Sequence, residues 1–89
     1  MARSDDTLLE FPCHFPIKIM GANEPDFAEH ALALVSSHVD DVVEDEVESR
    51  VSRNGRFVAV TVHIQARSKA QLDAIYRSLS ASDRVLMAL

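Results

Sequence analysis

Four histidines, one cysteine and a short acidic loop are the residues of this chain whose types could carry chemistry. Cys13 directly precedes His14, a juxtaposition from which a thiolate nucleophile and its base could be built. No acid stands at a spacing that would orient the histidine as a third member. Cys13 therefore reads as a small packing residue. His30 and His38 fall in one helical stretch but lie ~12 Å apart along its axis, too far to share a metal ion. His38 sits on or beside an apolar stripe, where a histidine satisfied by a hydrogen bond is the common case. His63 falls opposite Glu46 across a hairpin, which reads as a cross-strand ion pair. These residues assign no catalytic group, no metal site and no cofactor, and the chain reads as a non-enzyme.

The loop is "IMGANEPDF", residues 19–27. Gly21 closes an apolar run, Asn23 suits a helix N-cap, and Glu24, Pro25 and Asp26 suit a first helical turn. A turn is thus a sufficient explanation. The same residues also form a candidate ligand loop of Met20, Gly21, Asn23, Glu24 and Phe27. The glycine would let backbone approach a ligand, and the helix N-terminus would accept a carboxylate, against the opposition of Glu24 and Asp26.

These residues are held by elements with clear periodicity. Phe15, Ile17 and Ile19 alternate with Pro16, Lys18 and Met20, which predicts a strand over 14–20 with one buried face. Phe27, Ala31, Leu34, Val35 and His38 follow helical spacing, which predicts a helix over 24–39. Asn54-Gly55 is a strong hairpin signal and predicts strands over 45–53 and 56–66. A two-residue loop pairs Arg53 with Arg56, Val51 with Val58, Ser49 with Val60 and Val47 with Val62. Alternation of apolar residues gives the same register independently. Ser68 and Gln71 have capping-box spacing, and Leu72, Ile75, Tyr76 and Leu79 make the stripe of a helix over 69–80. "RVLMAL" predicts a last strand over 84–88, apolar on both faces, with Val85, Met87 and Leu89 on one and Leu86 and Ala88 on the other.

The order strand, helix, strand, strand, helix, strand, with right-handed crossovers, gives a ferredoxin-like α+β fold. Its four antiparallel strands run in the order 4-1-3-2, with both helices on one face. At 89 residues the chain is one domain, and residues 1–7, polar and unpatterned, are expected to be disordered.

Composition excludes more than it assigns. The net charge is −5, and Asp40, Asp41, Glu44, Asp45, Glu46 and Glu48 crowd together, so nucleic acid and anionic membranes are poor partners. An RNA-recognition domain needs stacking aromatics on its open strands, and the third strand here offers Phe57 followed by Ala59, Thr61 and His63. A copper chaperone of this fold needs two cysteines in the first loop, and an acylphosphatase needs a phosphate cradle with an arginine. "GANEPDF" has neither. A single cysteine, no long apolar run and an acidic start without a signal-peptide core point to the cytoplasm.

"LLEFP", Phe15, "KIMG", "FVAVTVHIQA" and "RVLMAL" together resemble the YbeD-like family of small uncharacterised bacterial proteins. The resemblance runs from about residue 8 to residue 89. It implies a cytoplasmic ferredoxin-like domain similar to the ACT regulatory domains that bind amino acids, and a link to lipoate metabolism. It carries over no catalytic residue. The ACT domains bind ligands after the first strand, where Gly21 matches, but "ANEPDF" lacks their aspartate and proline-glycine pattern. The expected function is a non-enzymatic accessory or regulatory module that contacts a protein partner, with ACT-like sensing of an amino acid or carboxylate as the alternative. The candidate interaction surface is Leu8, Leu9, Phe11 and Leu86, and the thin core is compatible with a weak homodimer.

Overall fold

A computed structural model describes residues 10–40 and 47–89. Six elements follow one another: β1 (Cys13–Ala22), α1 (Phe27–Ser36), β2 (Val47–Val51), β3 (Phe57–Ala66), α2 (Lys69–Ala81) and β4 (Val85–Ala88). The strands form one antiparallel sheet in the order β2-β3-β1-β4, the ferredoxin-like arrangement. Alternation decides which side chains are covered. Ile17, Ile19, Val58, Val60, Val62, Ile64 and Ala66 point to one face of the sheet and are buried. Phe27, Ala31 and Val35 of α1 and Leu72, Ile75 and Leu79 of α2 pack on them as one cluster. Both helices therefore cover the same face. No described element covers the other.

The helices are tied to each other by polar contacts at the margin of that core. Ser68 caps α2 by accepting from the Gln71 backbone N–H at 3.1 Å. The Gln71 side chain accepts from the Arg67 N–H at 2.7 Å and donates to the His38 carbonyl at 3.0 Å. His38 bonds Ser78 at 2.7 Å and His30 bonds Ser82 at 2.8 Å, so both α1-region histidines are satisfied by serines of or just after α2.

Four local expectations change. Asn23 is not the N-cap of α1. That position belongs to Asp26, because a turn closes first through Phe27 N–H to Glu24 carbonyl at 3.1 Å. At the other end the stripe outlasts the helix, since His38 and Val39 donate to Val35 and Ser36 in a tightened turn that still buries Val39. The hairpin keeps the expected register from Val47↔Val62 to Val51↔Val58, but its loop is wider than two residues. Within the loop only Gly55 has positive φ, at 76°, whereas a two-residue type I′ loop needs it at Asn54 as well. The closing pair is Ser52 N–H to Phe57 carbonyl at 2.8 Å, with Gly55 N–H to Ser52 carbonyl at 2.9 Å inside it. Arg53 and Arg56 become loop residues symmetrically, so the register survives.

The fourth change is in β4. Met20 pairs with Met87 and Ile19 with Ala88, but Gly21 pairs with Val85, so one residue is extra between them. That bulge breaks the expected alternation and puts Val85 and Ala88 together against the core. Met87 stays on the open face. The predicted disorder of residues 1–7, Leu8, Leu9, Glu46 and the start of the strand expected from 45 lie outside the described residues.

Candidate functional site

The five residues of the candidate ligand loop do not converge. Met20 lies on the open face of the sheet, between Met87 and Ala59. Gly21 lies on the helix side, and a Cβ there would meet the Phe27 ring and stand 2.5 Å from the Arg84 carbonyl oxygen. The glycine makes room for the protein's own phenylalanine. Phe27 is fully buried, and the Arg84 guanidinium sits 5.9 Å from its ring centre. Asn23 reaches the other way: its amide donates to the Gly55 carbonyl at 3.0 Å and its backbone N–H to the Arg56 carbonyl at 2.9 Å. The loop is thereby tied to the hairpin tip.

Arg84 holds the acids of the loop. Its Nη2 donates to Asp26 Oδ1 at 2.7 Å and to Glu24 Oε1 at 3.0 Å. Asp26, although it occupies the N-cap, caps nothing with its side chain, because its carboxylate is turned to the arginine. The Arg84 guanidinium holds the Asp26 carboxyl below the ordinary aspartate range. A depressed folded pKa gives stability that is present above the unfolded pKa and is lost as pH falls through the folded one. The thermal midpoint of the wild type is therefore expected to exceed that of Asp26→Asn at neutral pH, with the gap closing under acid below the carboxylate range. Parallel melting curves at the two pH values measure this. The groups are exposed, so the gap is modest.

The two described residues of the candidate interaction surface are also separated. Phe11 is half-buried and packs on the core beyond the start of β1. Leu86 stands at the bulge in β4, beside the far end of β1. It is 62% exposed and borders, with Tyr76 and Ser80 of α2, a hollow of about 230 Å³. Leu8 and Leu9 lie outside the described residues.

What the sheet brings together instead lies on its open face. The register sets Lys18, Thr61 and Glu48 in one row and Met87, Met20, Ala59 and Arg50 in the next. Phe57 follows, 42% exposed, beside Ala22. Beyond the first row, Glu48 Oε2 meets His63 Nε2 at 2.8 Å and His63 Nδ1 meets His14 Nε2 at 2.9 Å. The two imidazoles are nearly parallel, with centres 5.0 Å apart. A neutral His63 that donates to Glu48 accepts at Nδ1 from His14, so the chain of bonds is complete without a further partner. Cys13 points to the opposite side, against the core, and is no partner for this pair. Among the described residues no group of three or more histidine, cysteine or acidic side chains is placed to hold a metal ion.

Sequence reasoning missed Arg84 and the His14–His63 contact. Arg84 lies far from Glu24 in the chain, and only the pairing of β4 with β1 makes them neighbours. For His14 and His63 the available signal was their shared open face. Their contact needs the β1–β3 register, which no hairpin turn dictates.

The comparisons with known proteins extend over nearly the whole chain. The family described as "Protein of unknown function (DUF493)" matches residues 6–89. A UPF0250 protein of Chromobacterium violaceum is 43% identical over 89 residues, covering 100% of both chains. A UPF0250 protein of Paraburkholderia phytofirmans is 42% identical over 89 residues, again covering 100% of both. One from Nitrosomonas europaea is 40% identical over 86 residues, covering 97% of this chain and 99% of its own. The solution structure of protein HP0495 from H. pylori superposes with a TM-score of 0.69 at 15% identity, covering 91% of this chain and 85% of that one. This last likeness shows the fold alone.

Proposed function

The chain belongs to the DUF493 family, the YbeD-like UPF0250 bacterial proteins, and for it we propose a non-enzymatic accessory or regulatory role exercised by contact with a partner protein. The observation that carries this reading is the open face of the sheet. No described element covers it, and it presents Phe57, Met20 and Met87, the last 51% exposed, among charged side chains. Apolar anchors ringed by polar groups are the anatomy of an interaction surface. The hollows on this face are half-open to solvent, unlike the concave sites that bury most of a small ligand.

Sensing by the first loop is the weaker reading, because the loop is already engaged. Phe27 fills the space at Gly21, Arg84 takes Glu24 and Asp26, and Asn23 holds the hairpin. A ligand there would have to displace all three. The described residues include no helix long and apolar enough to cross a membrane. A cytoplasmic site of action is part of the proposal, as is the absence of nucleic acid among the partners.

The test is quantitative capture from a bacterial lysate with the wild type and with Phe57→Ser/Met87→Ser. Two anchors of this kind are expected to cost at least about tenfold in recovered partner, with the thermal midpoint little changed. An identical set of captured proteins on both baits would sink the proposal.

A further inference from the structure

The open face has an internal order that says more about its partner, given the reading just proposed. Its centre strand carries small side chains, Ala59 and Thr61, flanked by longer ones on both neighbours. One hollow of about 410 Å³ is bounded by Lys18, Glu48, Arg50 and Thr61. A second, of about 500 Å³, is bounded by Met20, Arg50, Arg53, Val51 and Phe57. They share Arg50 and Ala59 and so adjoin along β3 as one trough, with Lys18, Arg50 and Glu48 at the Thr61 end and the apolar Met20 and Phe57 beside Arg50 and Arg53 at the other.

The charge of this trough runs against that of the chain. The protein carries −5 overall, yet Lys18, Arg50 and Arg53 line the trough against one carboxylate, Glu48. That carboxylate is turned to His63. Among the described residues no acid is paired with Lys18, Arg50 or Arg53. Three cations with no acid partner among the described residues, joined to an apolar floor, match a ligand with the opposite charge and an apolar anchor.

We propose that the trough formed by Lys18, Arg50, Ala59, Thr61 and Phe57 receives a segment of a partner protein that bears carboxylates followed by an apolar side chain. The acids lie between Lys18 and Arg50, and the apolar anchor rests against Met20 and Phe57. From Thr61 to Phe57 is ~14 Å at ~3.4 Å per residue, the span of a short extended segment. A free small carboxylate is disfavoured because the half-open trough would leave one side of it in water. Single-stranded RNA is disfavoured because the trough has one aromatic ring, where base stacking uses several.

Amide-resolved NMR on the full chain tests this with a synthetic peptide in which a run of glutamates precedes phenylalanine and leucine. Saturable shifts are expected at Lys18, Met20, Arg50, Ala59 and Phe57, weakening as salt rises from ~50 to ~300 mM. Lys18→Glu/Arg50→Glu is expected to lower the affinity by at least about tenfold, since both charges are inverted on an exposed face. The proposal is overturned by an equal response to the lysine-for-glutamate peptide, by saturation with octanoate alone, or by tighter binding of oligouridine. Concentration-dependent shifts of the same amides without any addition would assign the face to a second copy and equally overturn it. Silence overturns it too. If capture by the wild type is still lost in Phe57→Ser/Met87→Ser, the face serves a partner of other chemistry and only the acidic segment falls. If capture survives that variant, the interaction reading itself falls.

Discussion

Phe27→Ala is expected to cost about 3–5 kcal/mol of stability, near the upper end of that range. The ring is fully buried at the first position of α1 and closes the core where the helix meets β1. Beneath it is Gly21, which has no side chain to relax into the space left behind. The Arg84 guanidinium over the ring also loses its aromatic partner, a contribution of about 0.5–1 kcal/mol at such a site. A small domain has about 5–15 kcal/mol in total, so the variant keeps little of its reserve. Urea denaturation followed by circular dichroism measures this as a lower midpoint with an unchanged slope. A loss under about 1.5 kcal/mol would mean that the site collapses readily and that the ring is not the keystone of this end of the core.

Gly21→Ala is expected to destabilise by about 1–3 kcal/mol or more, through overpacking. The φ of Gly21 is not positive, so the requirement for glycine is one of space and not of backbone conformation. An added Cβ meets the Phe27 ring, which is packed on all sides, and stands 2.5 Å from the Arg84 carbonyl oxygen, which belongs to the turn into β4. Neither can give way cheaply. The double variant Gly21→Ala/Phe27→Ala is therefore expected to lose less than the sum of the two singles, by about 1 kcal/mol or more, since the methyl then enters the space of the missing ring. The Arg84 carbonyl remains, so relief is partial. A glycine kept for ligand approach would behave otherwise: alanine would leave stability intact and abolish binding.

The parts of the fold legible in the sequence are those decided within a few residues or by a strict period. Ile17 and Ile19 alternate, Leu72, Ile75 and Leu79 recur at helical spacing, and Ser68 caps the helix that Gln71 opens. The Asn54-Gly55 turn made the β2–β3 register readable even though its loop conformation differs, because the loop widened equally on both sides. Contacts between distant segments were not legible. Asn23 has the right chemistry for an N-cap, but hydrogen bonding to Gly55 draws it to the hairpin. Asp26, in the capping place, is turned to Arg84, whose proximity depends on β4 lying against β1. Gly21 looked like an opening for a ligand because its true occupant, Phe27, arrives only after the loop has turned back.

The candidate site follows the same logic. Lys18, Met20, Arg50 and Phe57 could each be assigned to the open face from alternation alone. Their assembly into one trough depends on the small residues Ala59 and Thr61 standing between two neighbouring strands at the observed register. The proposed surface was thus visible residue by residue, while its shape and its charge imbalance were not.

The central claim is that residues 21–27 are structural and that the open face of the sheet is the working surface. An amide-resolved NMR titration of the full chain with a panel of amino acids, lipoate and octanoate tests it most directly. The expected result is silence at the amides of Gly21 to Phe27 throughout the panel. Saturable shifts confined to those amides and the neighbouring end of β4 would contradict it, and would make the loop a ligand site whose own side chains step aside.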